Sequence, residues 1–335
     1  MKVSVIIRSY NEAERIERLL LGLAAQQAKP HEVILVDSGS TDDTVAIARR
    51  HVEKIVHIDK AEFSFGRALN VGIAAATGDV CVFASAHVYP VHDTWLQDLT
   101  APLRNERVVL SYGRQSGNHL TKFSEHRIFE RWFPADSVFP QQTYFCNNAN
   151  CAIRRSTWEK HPYDEALTGL EDLAWAKAAQ AAGGLIAYAA QAECAHVHEE
   201  TWGQVRNRYR REARAMIRID EHAHFTALDF ILLLFANVVA DLAAALTRGV
   251  FLREFKSILH FRYNQMLGTY QGYNDPPEIT AQLRERFYYP LRREDERRAE
   301  DERARHVIDY EALESQAAAN QKGRGRVVRF SAGEQ

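Results

Sequence analysis

Residues 3–12, VSVIIRSYNE, and residues 32–42, EVILVDSGSTD, decide the fold. Each is a short β-branched run that ends in polar residues, so each reads as a buried strand that meets a ligand-capable turn. Between them, Glu12–Gln26 carries leucine and isoleucine at helical spacing. The alternation continues: Lys54–Ile58 and Asp79–Ala84 read as strands, Asp42–Arg50 and Gly66–Ala76 as helices. Thr41-Asp42-Asp43 offers a capping hydroxyl followed by first-turn acids. Strand–helix–strand alternation at this spacing builds a parallel sheet with helices on both faces. Such sheets bind ligands beyond the carboxyl ends of their strands. Those ends are Ser9–Glu12, Asp37–Thr41, Asp59–Arg67 and Ser85–Pro90.

Further along, Val108–Tyr112 and Asn150–Ile153 read as strands separated by a long aromatic-rich loop. Glu171–Ala182 reads as a helix stopped by Gly183-Gly184, and Leu185–Ala189 as a strand. After residue 200 the chain changes character: Gln204–Arg218 is a basic helix, 226–248 an apolar one and Glu254–Gly268 a mixed one. Residues 291–306 hold six basic and six acidic side chains, which predicts a solvated helix or a flexible segment, and Lys322–Arg329 is expected to be disordered. The expected divisions are a sheet domain over 1–215, a helical extension over 216–290 and a charged tail over 291–335.

Of the 335 residues, 46% are hydrophobic and 26% charged, which excludes collagen-like, disulfide-scaffold and wholly disordered chains. The net charge of -2 argues against bulk electrostatic binding of nucleic acid. Cys81, Cys146, Cys151 and Cys194 show no CxxC pairing and read as reduced and buried. Arg8 breaks the N-terminal apolar run, so it reads as a strand and not a signal peptide. The longest apolar stretch, 230–240, falls short of the ~18–20 residues that span a bilayer. The expectation is a soluble, cytoplasmic protein. Within 225–251, Thr226, Asp229, Asn237, Asp241 and Arg248 fall on one side of a helix and leave a wide apolar face. That face suits a membrane interface, a homodimer or packing on the sheet domain; the neighbouring arginines favour peripheral contact with the inner face of the cell membrane.

Two constellations carry chemistry. Asp37 and Ser38 at the second strand end, with Ser9, Tyr10 and Glu12 at the first, suit a nucleoside: the acid accepts from an imide N–H or ribose hydroxyls and Tyr10 offers a stacking face. The plainer reading of Asp37–Asp42 is a turn and helix cap. Glu171-Asp172 opens a helix, where carboxylates also stabilise the positive end of the dipole.

VSVIIRSYNEAERIERLL followed by EVILVDSGSTDDTVAIA, then Phe65-Gly66-Arg67-Ala68-Leu69-Asn70, Ala76-Thr77-Gly78-Asp79 and Gly169-Leu170-Glu171-Asp172, resemble glycosyltransferase family 2 over about residues 1–215. FGRALN, the 111–115 run SYGRQ and NNANCAIRRSTWEKHPYDE are similar to bacterial rhamnosyltransferase-like members, which build surface polysaccharides. The resemblance implies an α/β GT-A fold, with a Rossmann-like, mixed and mostly parallel sheet flanked by helices. It also implies a nucleotide-sugar donor (UDP or dTDP) and inverting transfer to a hydroxyl of a glycan or lipid-linked glycan. Ser9, Tyr10, Glu12, Asp37 and Ser38 then resemble the nucleotide-binding residues, with Arg67 reaching the nucleotide or diphosphate. Asp172 takes the place of the catalytic base, with Glu171 orienting it or the acceptor.

One departure from the family stands out. Where an Asp-x-Asp acid usually holds Mg²⁺ or Mn²⁺, this chain has Ser85-Ala86-His87. His87 reads as an unusual ligand for Mn²⁺ or a softer ion, as a protonated substitute for metal charge beside the phosphates, or as a residue that only hydrogen-bonds the nucleotide-sugar donor. His196-Val197-His198 points both rings to one face, and the resemblance makes His198 a partner of His87. Arg206, Arg210 and Arg214 share a helical face and can meet a diphosphate, a lipid-linked acceptor or solvent. Two rival readings are a nucleotidyltransferase, which needs a glycine-rich basic loop that Ser9–Glu12 is not, and a non-catalytic sugar-nucleotide-binding subunit, favoured by the missing acid.

Overall fold

Strict alternation of buried side chains along the first strand sets the two core layers. Val5 and Ile7 face one way, against Leu19, Leu20 and Leu23, and Ile6 faces the other, against Ala68, Leu69 and Ile73. The computed structural model describes residues 1–52, 54–275 and 309–315. In chain order its elements are β1 (Val3–Ser9), α1 (Ile16–Ala24), β2 (Glu32–Asp37), α2 (Thr44–Ala48), β3 (Lys54–His57), α3 (Phe65–Ala75), β4 (Val80–Ser85), β5 (Val88–Pro90), α4 (Trp95–Thr100), β6 (Val108–Ser116), α5 (Phe123–Trp132), β7 (Asn150–Arg154), α6 (Arg155–Trp158), α7 (Glu171–Ala181), β8 (Leu185–His196), α8 (Trp202–Ile219), α9 (Ala227–Thr247) and α10 (Phe251–Asn274). The strands form one sheet in the order β3-β2-β1-β4-β7-β6-β8-β5. Pairings are parallel among β1–β4 and between β6 and β8; β7 and β5 run antiparallel to their neighbours.

Several expectations change. The aromatic-rich stretch after β6 is not all loop, because Phe123 and Phe129 bury one side of α5. β8 runs seven residues past Ala189 and carries His196 as its last residue. α2 starts at Thr44, with Asp42 and not Thr41 accepting the Thr44 N–H at 3.0 Å. α10 continues to Asn274, six residues past Gly268. The boundary expected at 215 lies inside α8, and the backbone of α8 fits against Gly268 and Gly272 of α10, where a β-carbon would collide with the carbonyls of Arg206 and Arg210. Of the expected charged tail, 291–308 and 316–335 lie outside the described residues, the 291–306 stretch and Lys322–Arg329 included, as does the 276–290 part of the extension. Residues 309–315 belong to the body: Tyr310 is buried, donates to the Pro90 carbonyl and stacks edge-on with Tyr89, and Glu314 pairs with Arg18. All four cysteines are free and buried, as expected.

α9 inverts the usual amphipathic arrangement. Its polar side faces the protein: Asp241, 2% exposed, meets Arg262 of α10 at 2.7 Å, and Arg262 also donates to the Ser124 carbonyl at the start of α5. Its apolar side is bare, with Leu228, Ile231, Leu232, Phe235, Val239 and Leu246 exposed. The uninterrupted run 230–240 understated this surface. α9 is 21 residues long and its most apolar stretch has a mean hydropathy of 2.2, long and apolar enough by composition to cross a membrane, with 11% of that stretch buried. Its two acids are engaged elsewhere, Asp229 in a capping box with Thr226 and Asp241 with Arg262.

Arg262→Met is expected to lower unfolding stability by about 3 kcal/mol, because it leaves Asp241 buried without its main partner. Denaturant titration checks this, and a second change, Asp241→Leu, should recover most of the loss.

Candidate active site

Parallel register gathers the site. Ser9 pairs with Asp37 across β1 and β2, and Arg8 with Ser85 across β1 and β4, so three carboxyl ends share one edge. Asp37, buried at that edge, accepts the N–H groups of Gly39 and Ser40, each at 3.2 Å, with His57 Nδ1 3.3 Å away. Asn11 clasps the two loops together. It sits at φ 53°, accepts the Thr41 N–H at 2.8 Å and donates its own N–H to Ser40 Oγ at 2.9 Å. Its part was not foreseen; the signal was an asparagine, tolerant of left-handed backbone, directly after a strand. Ser38 and Ser9 are buried, with the Ser38 N–H on the Ser9 carbonyl, and Lys60 lies 5.8 Å from the Tyr10 ring centre. Asp37 therefore serves its own turn, as the plainer reading has it, while standing beside Ser9.

Glu12 reaches from the first loop to the end of β4, where its Oε1 lies 3.0 Å from His87 Nδ1. Antiparallel pairing of β5 with β8, Val88 opposite His196, then brings two more imidazoles alongside. The His87 and His196 rings stack at 5.1 Å between centres, and His196 and His198 lie 4.0 Å apart. His196 Nδ1 meets Gln115 Oε1 at 2.6 Å and His198 Nδ1 meets Glu125 Oε1 at 2.8 Å. Arg208 of α8 locks Glu125 at 2.6 Å and Glu200 at 2.7 Å. Burial pushes the Glu125 carboxyl up, but the charges of Arg208 and His198 outweigh it and hold it well below the usual carboxylate range. Burial, then His198, His87 and Arg208, hold His196 well below the ordinary imidazole range, so it stays neutral. Three imidazoles with anchored Nδ1 atoms form a donor set suited to a divalent ion of the nitrogen-tolerant kind.

The acid pair stands at the start of α7. Leu170 just before it holds a left-handed φ of 53°, a conformation that costs a branched side chain roughly 1–2 kcal/mol. Arg8, the charge inside an otherwise apolar strand, donates to Glu171 Oε1 at 2.9 Å and ties α7 to β1. Asp172 accepts the N–H groups of Asn148 at 3.1 Å and Leu173 at 2.9 Å. Burial first, then the charge of Glu171, raises the Asp172 carboxyl to about 7, against those N–H groups and Arg8, which lower it. A carboxyl poised near neutrality is suited to take up a proton.

The arginines fall differently from the expected stripe. Arg210 grips Asp275 with both fork nitrogens, at 2.6 and 2.7 Å, and Arg214 lies 3.5 Å from the same acid, while Arg206 is half-buried along the α10 interface. The face that turns toward the histidines and the acid pair is the next one round α8: Arg208, on Glu125 beside His198, and Arg211, whose guanidinium lies 4.6 Å from the Phe65 ring centre, with that of Arg8 5.4 Å from the same ring. Four-residue spacing identifies a face but not which face turns inward. Arg67 is held by Glu62 at 2.8 Å and Glu165 at 3.3 Å, so its fork is taken by two surface acids.

Residues 4–161 match the family model described as glycosyl transferase family 2. The O-antigen chain rhamnosyltransferase WbaN of Salmonella anatum is 28% identical over 220 residues, 62% of this chain and 69% of that one. The O-antigen chain rhamnosyltransferase RfbN of Salmonella typhimurium strain LT2 is 26% identical over 223 residues, 62% of this chain and 70% of that one. Among solved structures, the mannosyltransferase PcManGT from Pyrobaculum calidifontis, in complex with GDP-Man and Mn²⁺, superposes with a TM-score of 0.56 at 20% identity, covering 82% of this chain and 87% of that one. That likeness shows the GT-A fold.

Titration of Asp172 supplies a check on the acid pair. Its folded value lies above the ordinary aspartate value of about 3.9, so its contribution to stability is full below about pH 4 and is lost as pH rises through about 7. Carbon-13 chemical shifts of labelled aspartate are expected to show one midpoint near 7, absent in Asp172→Asn and moved to lower pH in Glu171→Gln.

Proposed function

Since this chain belongs to glycosyltransferase family 2 and is a glycosyltransferase of GT-A fold, we propose that it moves a sugar, with inversion, from a UDP- or dTDP-sugar to a hydroxyl of a glycan or lipid-linked glycan during bacterial surface-polysaccharide synthesis. The observation that carries this reading is a buried acid pair, with Asp172 raised to about 7, tied by Arg8 to the strand edge that holds Asp37 and Ser9. The two similar O-antigen rhamnosyltransferases support the polysaccharide setting.

In this mechanism Ser9, Tyr10, Glu12, Asp37 and Ser38 seat the nucleoside. Asp172 accepts the proton of the acceptor hydroxyl as its oxygen attacks the anomeric carbon and the bond to the diphosphate oxygen breaks. Glu171, neutralised by Arg8, orients Asp172 or the acceptor. The departing nucleoside diphosphate gathers negative charge, which Arg211 and the histidine cluster face; Arg208, held by Glu125 and Glu200, acts by anchoring Glu125 against His198. His87 and His198 would hold a divalent ion, which would supply further positive charge against the diphosphate; the Mn²⁺ in the PcManGT complex supports a metal in this fold. Arg210 joins this machinery only if its pairing with Asp275 opens.

The bare face of α9, followed by exposed Leu252, Arg253, Phe255 and Lys256 in the first turns of α10, lies in the interface of an anionic membrane and presents the enzyme to a lipid-linked acceptor from the cytoplasmic side.

Asp172→Asn is expected to lower transfer by roughly 10²–10⁴-fold while nucleoside diphosphate still binds; undiminished transfer by the folded variant overturns the assignment. Ile231→Asp with Phe235→Asp should reduce sedimentation with anionic vesicles by more than about tenfold, given about 1.5–3 kcal/mol per buried apolar side chain. If the double variant instead converts a dimer to a monomer with vesicle binding unchanged, the face is a subunit interface.

A further inference from the structure

His87, His196 and His198 each bring a ring nitrogen within 4.8 Å of the others. In all three the Nδ1 atom already has a neighbour, respectively Glu12, Gln115 and Glu125. The nitrogen left to each for a ligand is Nε2. Nδ1 anchored on a carboxylate or amide oxygen is the outer-sphere arrangement that orients metal-binding imidazoles. The Gln115 oxygen accepts from His196 Nδ1–H, which leaves the lone pair on Nε2.

His196 provides the independent observation. It is 6% exposed, and its Nε2 is buried with no hydrogen-bond partner among the described residues. An orphaned buried acceptor costs about 1–3 kcal/mol, a cost that a bound cation removes. The neighbouring group Glu125, His198 and Glu200 offers oxygen donors, but Arg208 already neutralises both of its acids. Among the described residues, that leaves the three imidazoles as the place for a cation.

We infer that His87, His196 and His198 form a three-nitrogen site for a first-row transition-metal dication of the Mn²⁺, Co²⁺ or Zn²⁺ kind, one that discriminates against Mg²⁺. The inference rests on the transferase reading for the purpose of the ion but not for its binding. Mg²⁺ demands oxygen ligands in near-octahedral geometry and gives up its water reluctantly. Imidazole suits the later first-row ions, whose affinities rise from Mn²⁺ towards Cu²⁺. Bonds of roughly 2.1 Å set nitrogens roughly 3.4 Å apart in a tetrahedral site, so the three rings draw closer together when the ion binds. Three protein ligands leave positions open for diphosphate oxygens. His196 is the member that makes the site: it adds the third nitrogen where an ordinary acid ligand is missing.

The test is a titration of chelator-treated full-length protein with Co²⁺, followed by visible d–d absorption and by calorimetry, with Mg²⁺ and Zn²⁺ as competitors. One Co²⁺ per chain is expected, displaced by Zn²⁺ and not by a 100-fold excess of Mg²⁺. His196→Ala should weaken Co²⁺ binding at least 100-fold, and Gln115→Ala, which keeps all three ligands, by 10–100-fold. Where the His196 variant fails to fold, paramagnetic broadening of the three imidazole resonances by Mn²⁺ in the unmodified protein reads the same contacts. Absence of Co²⁺ binding, equal competition by Mg²⁺, or binding unchanged in folded His196→Ala overturns the site. Co²⁺ held by the three imidazoles without sugar transfer from any donor supports the site and counts against the transferase reading instead.

Discussion

The parallel pairing of β1 between β2 and β4 is the constraint on which the remaining geometry depends. It places Ser9 beside Asp37 and Arg8 beside Ser85 without any help from side chains. From that line, three polar contacts fan outward: Asn11 to the β2 loop, Glu12 to His87, and Arg8 to Glu171. Each recruits a separate stretch of chain to one edge. A one-residue slip of β1 would turn Ile6 to the wrong core layer as well as displace the edge, so the apolar layers and the polar edge enforce the same register.

The helical extension is joined to the site through a chain of buried charges. Asp241 of α9 holds Arg262 of α10, which donates to the carbonyl of Ser124 in α5. The next residue, Glu125, receives Arg208 of α8 and His198. Lone charges at such depth are costly, whereas mutually satisfied ones restrict the packing to a single arrangement. The apolar face of α9 and the histidine cluster are therefore two ends of one rigid assembly. The 309–315 segment braces the opposite flank, with Tyr310 on the Pro90 carbonyl at the end of β5, the strand that follows His87.

Much of this was legible in the chain itself. Period-two and period-3.6 patterns located β1 to β4 and the helices between them, because burial on both faces leaves a strong composition signal. Asp37, Glu171, Asp172, His87 and His198 stood out as polar residues at strand or helix ends. What escaped were features that depend on partners distant in sequence. Arg8 read only as a break in an apolar run until Glu171, 163 residues away, received it. Arg210 looked as available as Arg208 until Asp275 took the first and Glu125 the second. Arg67 likewise lies between Glu62 and Glu165.

Local sequence alone specified a mostly parallel sheet with polar residues at its strand ends, the acid pair at a helix start, the absence of a carboxylate after β4 and an apolar face on α9. All four are written along the chain, in the spacing of consecutive residues and elements, and need no partner distant in sequence. Only the tertiary structure decided that His196 completes a group with His87 and His198, that Arg208 and not Arg210 stands at that group, and that the polar side of α9 turns inward. Those outcomes follow from strand order and helix rotation, which are set by the packing of the whole core and by no single segment.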